Sequence, residues 1–440
     1  MTDTLDRTDT PQPKPPTDPD ETRKALIRLA IVVVGGLLLA ARVGVIKTVL
    51  VVIALLVMIM LHEFGHFVAA KKGGMKVTEF FVGFGPRLWS IRKGETEYGV
   101  KALPLGGYVK IIGMHNLDRI EDPADEPRTY RQQPFPQRLG VAVAGSMMHF
   151  LIAIVLFAVI NTMVGIPQPS LRVGEISRVT GERSPAEQAG FQVGDRIVSV
   201  DGQRYDSWDQ IPPYIRARPE QPIEFVVERG DRTLTLTATP LDMSKVTAHG
   251  QPASKEPRGF IGIGPSVELA TKGLMGVPLA FEQLIGGDFD SDPNQVAPGL
   301  VENAKALAQV FSPSGMASYW RNITGDARPG TADEGTRFLS PVGLVRIAGT
   351  AADTGWLEVL ILLIMINIFV GLFNLVPLLP LDGGHVIIAV YEAIRSKIQG
   401  ARYYTDVAKL MPLTYAAFLL IVFLGASALY LDIARPLQLN

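Results

Sequence analysis

The chain contains no cysteine. Disulfides are excluded, and so is any metal site built on thiolates, so a bound zinc would have to be held by His, Asp or Glu. Charge is scarce as well: 19% of the 440 residues are charged, and they nearly cancel at a net charge of −1. No global field argues for nucleic acid as a partner. Histidine is rarer still, with six in the whole chain. What is abundant is apolar: 47% of residues are hydrophobic. They gather in runs long enough to cross a bilayer, so the composition reads as an integral membrane protein carrying a soluble part.

Two of the six histidines lie together in His62-Glu63-Phe64-Gly65-His66, at the end of the apolar run Val49 to Leu61. Histidines four residues apart share one helix face, one turn from each other, and can offer two imidazole nitrogens to one zinc ion. Glu63 then sits beside the metal as a candidate general base. The bland alternative is a helix end with two surface histidines and a glutamate. A third ligand at the same depth would decide between them.

Taken in order, residues 1–24 are rich in Pro, Asp and Thr and read as a disordered cytosolic tail. Residues 25–45 read as an extra N-terminal transmembrane helix, retained rather than cleaved, with Arg23, Lys24 and Arg28 marking a cytosolic N-terminus. The next span, about Ile46 to Ala70, ends in the histidine motif. It is followed by Lys71, Lys72 and Lys76, which places His62 towards the cytosolic side. Arg87 to Lys93 and Glu97 to Leu103 alternate as strands around Gly94, and Tyr108 to Ile112 reads as a third. This segment is apolar for a cytosolic loop, so either a sheet dips against the membrane or a small subdomain has aromatic core residues. Asn116 to Gln137 is polar and reads as a linker. Leu139 to Ile166 is the third span and carries His149. A histidine in an apolar helix is expensive. It is a zinc ligand, a donor to a ligand or substrate, or a satisfied interior histidine; the last two are favoured.

Beyond Gln168 the chain reads as a small β-rich domain. Its strand Gly259-Phe260-Ile261-Gly262 is either an edge strand of that domain or a loop that receives an extended peptide by strand addition. Residues 268–340 carry amphipathic stretches that suit helices lying on the membrane face, and His115 and His249 sit in polar loops. Leu357 to Leu381 is a fourth span, broken near its end by Pro377 and Pro380 just before Asp382-Gly383-Gly384-His385. Broken backbone inside a membrane is tolerated only against protein or a cavity, which makes Asp382 and His385 candidates for a functional site. Thr414 to Leu431 is the last span. The histidine span and the Leu357–Leu381 span are both expected to run from outside to inside, so His62, His66 and Asp382 can meet at one depth. Two His and a carboxylate with an open fourth position is a catalytic zinc arrangement. His385 competes for the third place, and Asp382 is preferred because His385 lies further towards the cytosol.

The chain resembles the site-2 protease family of intramembrane zinc metallopeptidases, in its bacterial PDZ-containing branch. His62 to His66 is similar to the family's HExxH, and Asn374 to Gly384 to its NxxPxxPLDGG. Phe81 to Pro86 and Pro104 to Tyr108 resemble its membrane-associated β-hairpin region, and Ser184 to Gly202 resembles a bacterial PDZ domain. The resemblance implies a polytopic α-helical membrane protein with a membrane-associated β-hairpin region and an extracytoplasmic PDZ domain. Its parts would be a catalytic membrane core at 46–166 and 341–436, a PDZ domain at 168–267 and an extracytoplasmic connecting region at 268–340. It implies zinc on His62, His66 and Asp382, with Glu63 as general base. Asn374 and Pro377 would line the substrate groove, with His149 and the Gly259 to Gly262 strand as further substrate contacts. The implied partners are single-span membrane proteins such as anti-sigma factors, within a lipid bilayer, and the implied location is the bacterial plasma membrane. The family usually has Gly-Pro-x-x-Asn where this chain has Gly145-Ser146-Met147-Met148-His149. Two other readings stay open: a membrane-anchored zinc peptidase acting on cytosolic or misfolded proteins, and a non-catalytic PDZ scaffold.

Overall fold

The computed structural model describes residues 19–114, 120, 122–178, 183–246, 256–286, 296–325, 337–405 and 407–435. The polar leader up to residue 18, His115 and His249 lie outside them. Two long helices come first, α1 (Pro19–Arg42) and α2 (Ile46–Lys72), then two long strands, β1 (Val77–Lys93) and β2 (Thr96–Ile111), and then α3 (Phe135–Val159). After β3 (Ile166–Ile176) come α4 (Pro185–Ala189), β4 (Arg196–Val200), α5 (Ile211–Arg216), β5 (Ile223–Arg229), β6 (Arg232–Ala238), β7 (Leu241–Asp242), β8 (Gly259–Phe260) and β9 (Ile263–Ala270). Helices return with α6 (Gly276–Ile285), α7 (Leu300–Val310), α8 (Pro313–Thr324), α9 (Pro341–Thr354), α10 (Trp356–Asn374), α11 (Asp382–Gln399) and α12 (Met411–Ala434). The chain divides into two compact units, Val159–Val277 on the one hand and Met1–Ala158 with Pro278–Asn440 on the other.

Among the described residues, five helices are long and apolar enough to cross a membrane: Arg23–Arg42, Ile46–Lys72, Phe135–Val164, Trp356–Asn374 and Met411–Ala434. They fall where the five apolar runs of the sequence lie. The first helix starts at Pro19, before the Ala25 expected of it. The fourth span stops at Asn374 rather than continuing to Leu381. Pro377 and Pro380 each lack the N–H that a continuing helix needs. A turn follows, and α11 begins at Asp382.

In this helical unit Val51 of α2 packs against Ala348, Ala352 and Val359 of α9 and α10. Tyr319 of α8 packs on Leu424 and Leu431 of α12, and its hydroxyl lies 2.7 Å from Ser427 Oγ. Helices of the 268–340 stretch are thus joined to the membrane spans by packing. Near the other end, Ala70, Met75, Val77, Ile111, Tyr130 and Val141 form one cluster. The polar segment expected to be a linker is tied into it: Lys76 pairs with Asp125, Arg131 with Glu126, and Tyr130 is buried. Arg138 of α3 and Glu392 of α11 form a buried ion pair.

β1 and β2 are each long enough to fold back on the other. Arg87 to Lys93 pairs with Thr96 to Lys101 in an antiparallel hairpin whose turn holds Gly94 at φ +64°. Further along, Phe80 stands opposite both Tyr98 and Val109, so the first part of β1 is flanked on both sides by β2. The three expected strands are therefore present as a curled sheet, with Gly107 of β2 against Met60 of α2, where a Cβ would come within 2.3 Å of the sulfur.

The Val159–Val277 unit is a five-stranded sheet in the order β6-β5-β4-β3-β9 with two short helices. Its core is Val173, Phe191, Ile197, Val200, Ile211, Ile223, Phe225, Val227 and Ile261. A capping box between Ser184 and Glu187 starts α4. Asp195, buried at the turn before β4, takes two hydrogen bonds of 2.7 Å from the Arg229 guanidinium.

Candidate metal centre

Nothing but Gly65 interrupts the helix formers through His62 to His66, so α2 runs unbroken and brings the two imidazoles together edge to face, their centroids 4.8 Å apart. Both rings are buried. His66 Nδ1 donates to the Val141 carbonyl at 2.8 Å, which leaves its Nε2 lone pair facing His62. The third group is Asp382. It is the first residue of α11, a new helix that opens beyond the proline-broken end of the preceding span, rather than part of that span's own inner end as the sequence implied.

The ligand atoms form a nearly equilateral triangle. His62 Nε2 and His66 Nε2 are 3.2 Å apart, and Asp382 Oδ2 lies 3.4 Å from the first and 3.3 Å from the second. Atoms held about 2.0–2.1 Å from one tetrahedral zinc ion stand roughly 3.3–3.4 Å from each other, so the spacing fits that ion. The chemistry fits as well. Asp382 Oδ2 is buried with no hydrogen-bond partner, although both imidazole nitrogens are close. Among the described residues, these three are the one group of His, Asp or Glu placed to share a metal ion.

Glycines make room for this triangle. A Cβ on Gly145 of α3 would lie 2.4 Å from both His66 Nε2 and His62 Cε1. A Cβ on Gly65 would lie 2.6 Å from the Ala144 carbonyl oxygen, so α2 and α3 cross backbone to backbone at the site. Gly383 holds the start of α11 against the turn, where a Cβ would meet the carbonyl oxygens of Val376 and Leu375 at 2.2 and 2.3 Å.

Glu63 is oriented from outside its helix: the Val109 amide of β2 donates to its Oε2 at 3.1 Å. His149 lies beside the ligands, its ring centroid 4.9 Å from that of His62, and Asn367 Oδ1 lies 3.0 Å from its Nδ1. His385 sits one turn along α11 from Asp382, with its ring centroid 6.5 Å from that of Tyr130, and is not one of the three grouped ligands. Asn374 is the last residue of α10 and is half-buried, while Pro377 is exposed in the turn that Gly383 supports. Gly259 to Gly262 belongs to the other unit. There Phe260 pairs with Leu241, and the carbonyls of Ile261 and Gly262 accept from the amides of Ala186 and Ser177 at 2.9 Å.

Val109, Val141 and Asn367 were not singled out from the sequence. The first two act through backbone atoms, which carry no residue signature. Asn367 did have a signal, since a buried amide amid the aliphatic side chains of α10 is costly without a partner.

Residues 50–421 match the family model described as peptidase family M50. The chain belongs to peptidase family M50. Its relatives agree over nearly their whole length. "Zinc metalloprotease Rip1" of Mycobacterium bovis (strain BCG / Pasteur 1173P2) is 34% identical over 420 residues, covering 89% of this chain and 98% of the relative. The protein of the same name from Mycobacterium tuberculosis (strain ATCC 25618 / H37Rv) is 34% identical over 418 residues, with the same coverage of 89% and 98%. "Metalloprotease MmpA" of Caulobacter vibrioides is 30% identical over 379 residues, covering 81% of this M50 chain and 90% of its own. Among solved structures, the PDZ domain of the SdrC-like protein from Listeria monocytogenes overlaps 22% of this chain and 87% of its own, at 17% identity and a TM-score of 0.17, too slight a likeness to bear on the fold.

Proposed function

We propose that this M50 peptidase is a zinc-dependent intramembrane endopeptidase of the bacterial plasma membrane. Its substrates would be the transmembrane segments of single-span proteins, anti-sigma factors among them, in regulated proteolysis. The observation that carries this reading is the His62–His66–Asp382 triangle, whose two histidines lie in a helix apolar enough to cross a bilayer.

His62, His66 and Asp382 would hold the zinc, which when bound supplies Lewis acidity at the scissile carbonyl. Val141 keeps the His66 ring in the tautomer that turns Nε2 inward. Glu63 takes the proton of the attacking water and passes it to the leaving amine. The Val109 amide keeps its carboxylate turned for that task. A helical substrate hides its peptide bonds and must unwind first. The hairpin Arg87 to Leu103 is one edge on which the unwound strand can be held. The stretch of β2 that reaches Glu63 is Gly107 to Val109, and this favours strand addition there. Residues 168–267 would then be an extracytoplasmic PDZ domain that filters or docks substrates, with Gly259 to Gly262 as its peptide-receiving strand. Asn374, Pro377 and His149 would contact substrate on the membrane side.

Glu63→Gln tests this directly. The variant is expected to retain one zinc per chain and to lose cleavage of a membrane substrate; retained turnover would sink the assignment. Comparing membrane proteomes of cells carrying wild type and Glu63→Gln would then identify the substrate.

A further inference from the structure

His149 and Asn367 are each 1% exposed, one on α3 and one on α10, inside two of the apolar spans. Their contact has a direction that chemistry fixes. Asn367 Nδ2 donates to the Leu363 carbonyl at 2.7 Å. A carbonyl oxygen only accepts, so the amide must turn its NH2 to Leu363 and its oxygen to His149. The amide oxygen also only accepts, so the proton on this side of the imidazole belongs to Nδ1, 3.0 Å away. Reversing the amide would set two oxygen acceptors 2.7 Å apart and is excluded. The neutral ring is then left with a lone pair on Nε2, and no second hydrogen bond to this ring is present among the described residues. The ring stands beside His62 without being one of the three grouped ligands.

We propose that His149 Nε2 accepts a backbone N–H of the unwound substrate beside the scissile bond, and that Asn367 is the positioning residue that sets this tautomer. The proposal rests on the peptidase reading above. It reverses the hydrogen bond expected of His149, from donor to acceptor. Unwinding a helix frees peptide N–H groups in apolar surroundings, where each needs an acceptor. The aliphatic walls of α3 and α10 offer few. The His149–Asn367 pair supplies one that carries no charge and is held by a backbone carbonyl at its far end.

The test uses full-length protein, loaded with zinc in lipid nanodiscs and labelled with nitrogen-15 in its histidine rings; comparison with His149→Gln assigns the ring. Wild type is expected to show His149 protonated on Nδ1 and bare on Nε2. Asn367→Leu should lose that signature and keep one zinc per chain. Its kcat/KM should fall about tenfold, mainly through KM, on a single-span substrate that wild type cuts and Glu63→Gln does not. A proton on Nε2 in wild type would overturn the proposal. So would Asn367→Leu with an altered tautomer and unchanged kcat/KM. Cleavage by Glu63→Gln would count against the peptidase reading instead and leave the tautomer result standing.

Discussion

At the residue scale, the metal centre depends as much on an atom that is missing as on the ligands. Gly145 leaves the space in which His62 Cε1 and His66 Nε2 face α3. Gly145→Ala places a methyl group 2.4 Å from that nitrogen unless the helices part. The expected outcome is zinc content well below one per chain by metal analysis, and at least a hundredfold lower activity. A protein that keeps full zinc and full activity would show that the crossing is softer than its geometry. That His62, His66 and Asp382 come together was legible beforehand because each is a chemically distinctive side chain at a motif spacing. Its supports were not. The Val141 carbonyl and the Val109 amide are present in every residue type, and only the folded path aims them.

At the level of elements, the break after α10 is the point where sequence and structure part. Pro377 and Pro380 signalled that the helix could not continue, but not that Asp382 would open a new helix held close by Gly383 and Gly384. The buried pair of Arg138 and Glu392 binds that new helix to α3. Removing one partner strands the other charge, so Glu392→Ala should destabilise the helical unit by about 3–5 kcal/mol in detergent unfolding. An unchanged unfolding midpoint would argue against it. In the other unit, burial alone would raise the Asp195 carboxyl, but the Arg229 guanidinium and the Gln192 amide outweigh it and hold it below the usual carboxylate range. A carboxyl depressed in the folded state adds stability above its unfolded pKa of about 3.9 and loses it as pH falls through the folded value. Asp195→Asn should therefore lower stability at neutral pH and flatten the loss of stability below about pH 4. The fluorescence of buried Trp208 offers a local readout.

For the whole molecule, the absence of cysteine becomes a tool. Single cysteines introduced at Asp209 and at Lys397 report sidedness without background. The proposed topology expects an impermeant thiol reagent added outside intact spheroplasts to label the first and spare the second; the reverse pattern would invert the protein. Chelation by a strong zinc ligand should abolish cleavage, and added zinc should restore it within the same sample, which separates metal loss from unfolding. The five spans were legible because a bilayer demands length and apolarity, and both can be read along a sequence. Residues 268–340 were legible only as amphipathic stretches, because the packing of α7 on α10 and of α8 and α9 on α12 depends on partners distant in the chain, such as Tyr319 against Ser427.

The opening of α11 by Asp382 has a consequence for how this protein is made. Both histidines are synthesised early, yet the carboxylate that completes their site is separated from them by most of the polypeptide. A ribosome-bound chain holds an incomplete centre until the last stretch is inserted and the turn after α10 has closed on Gly383 and Gly384. On the proposed ligand set, proteolytic competence would therefore be withheld from the nascent protein and its truncated products, and would arrive together with the finished membrane fold.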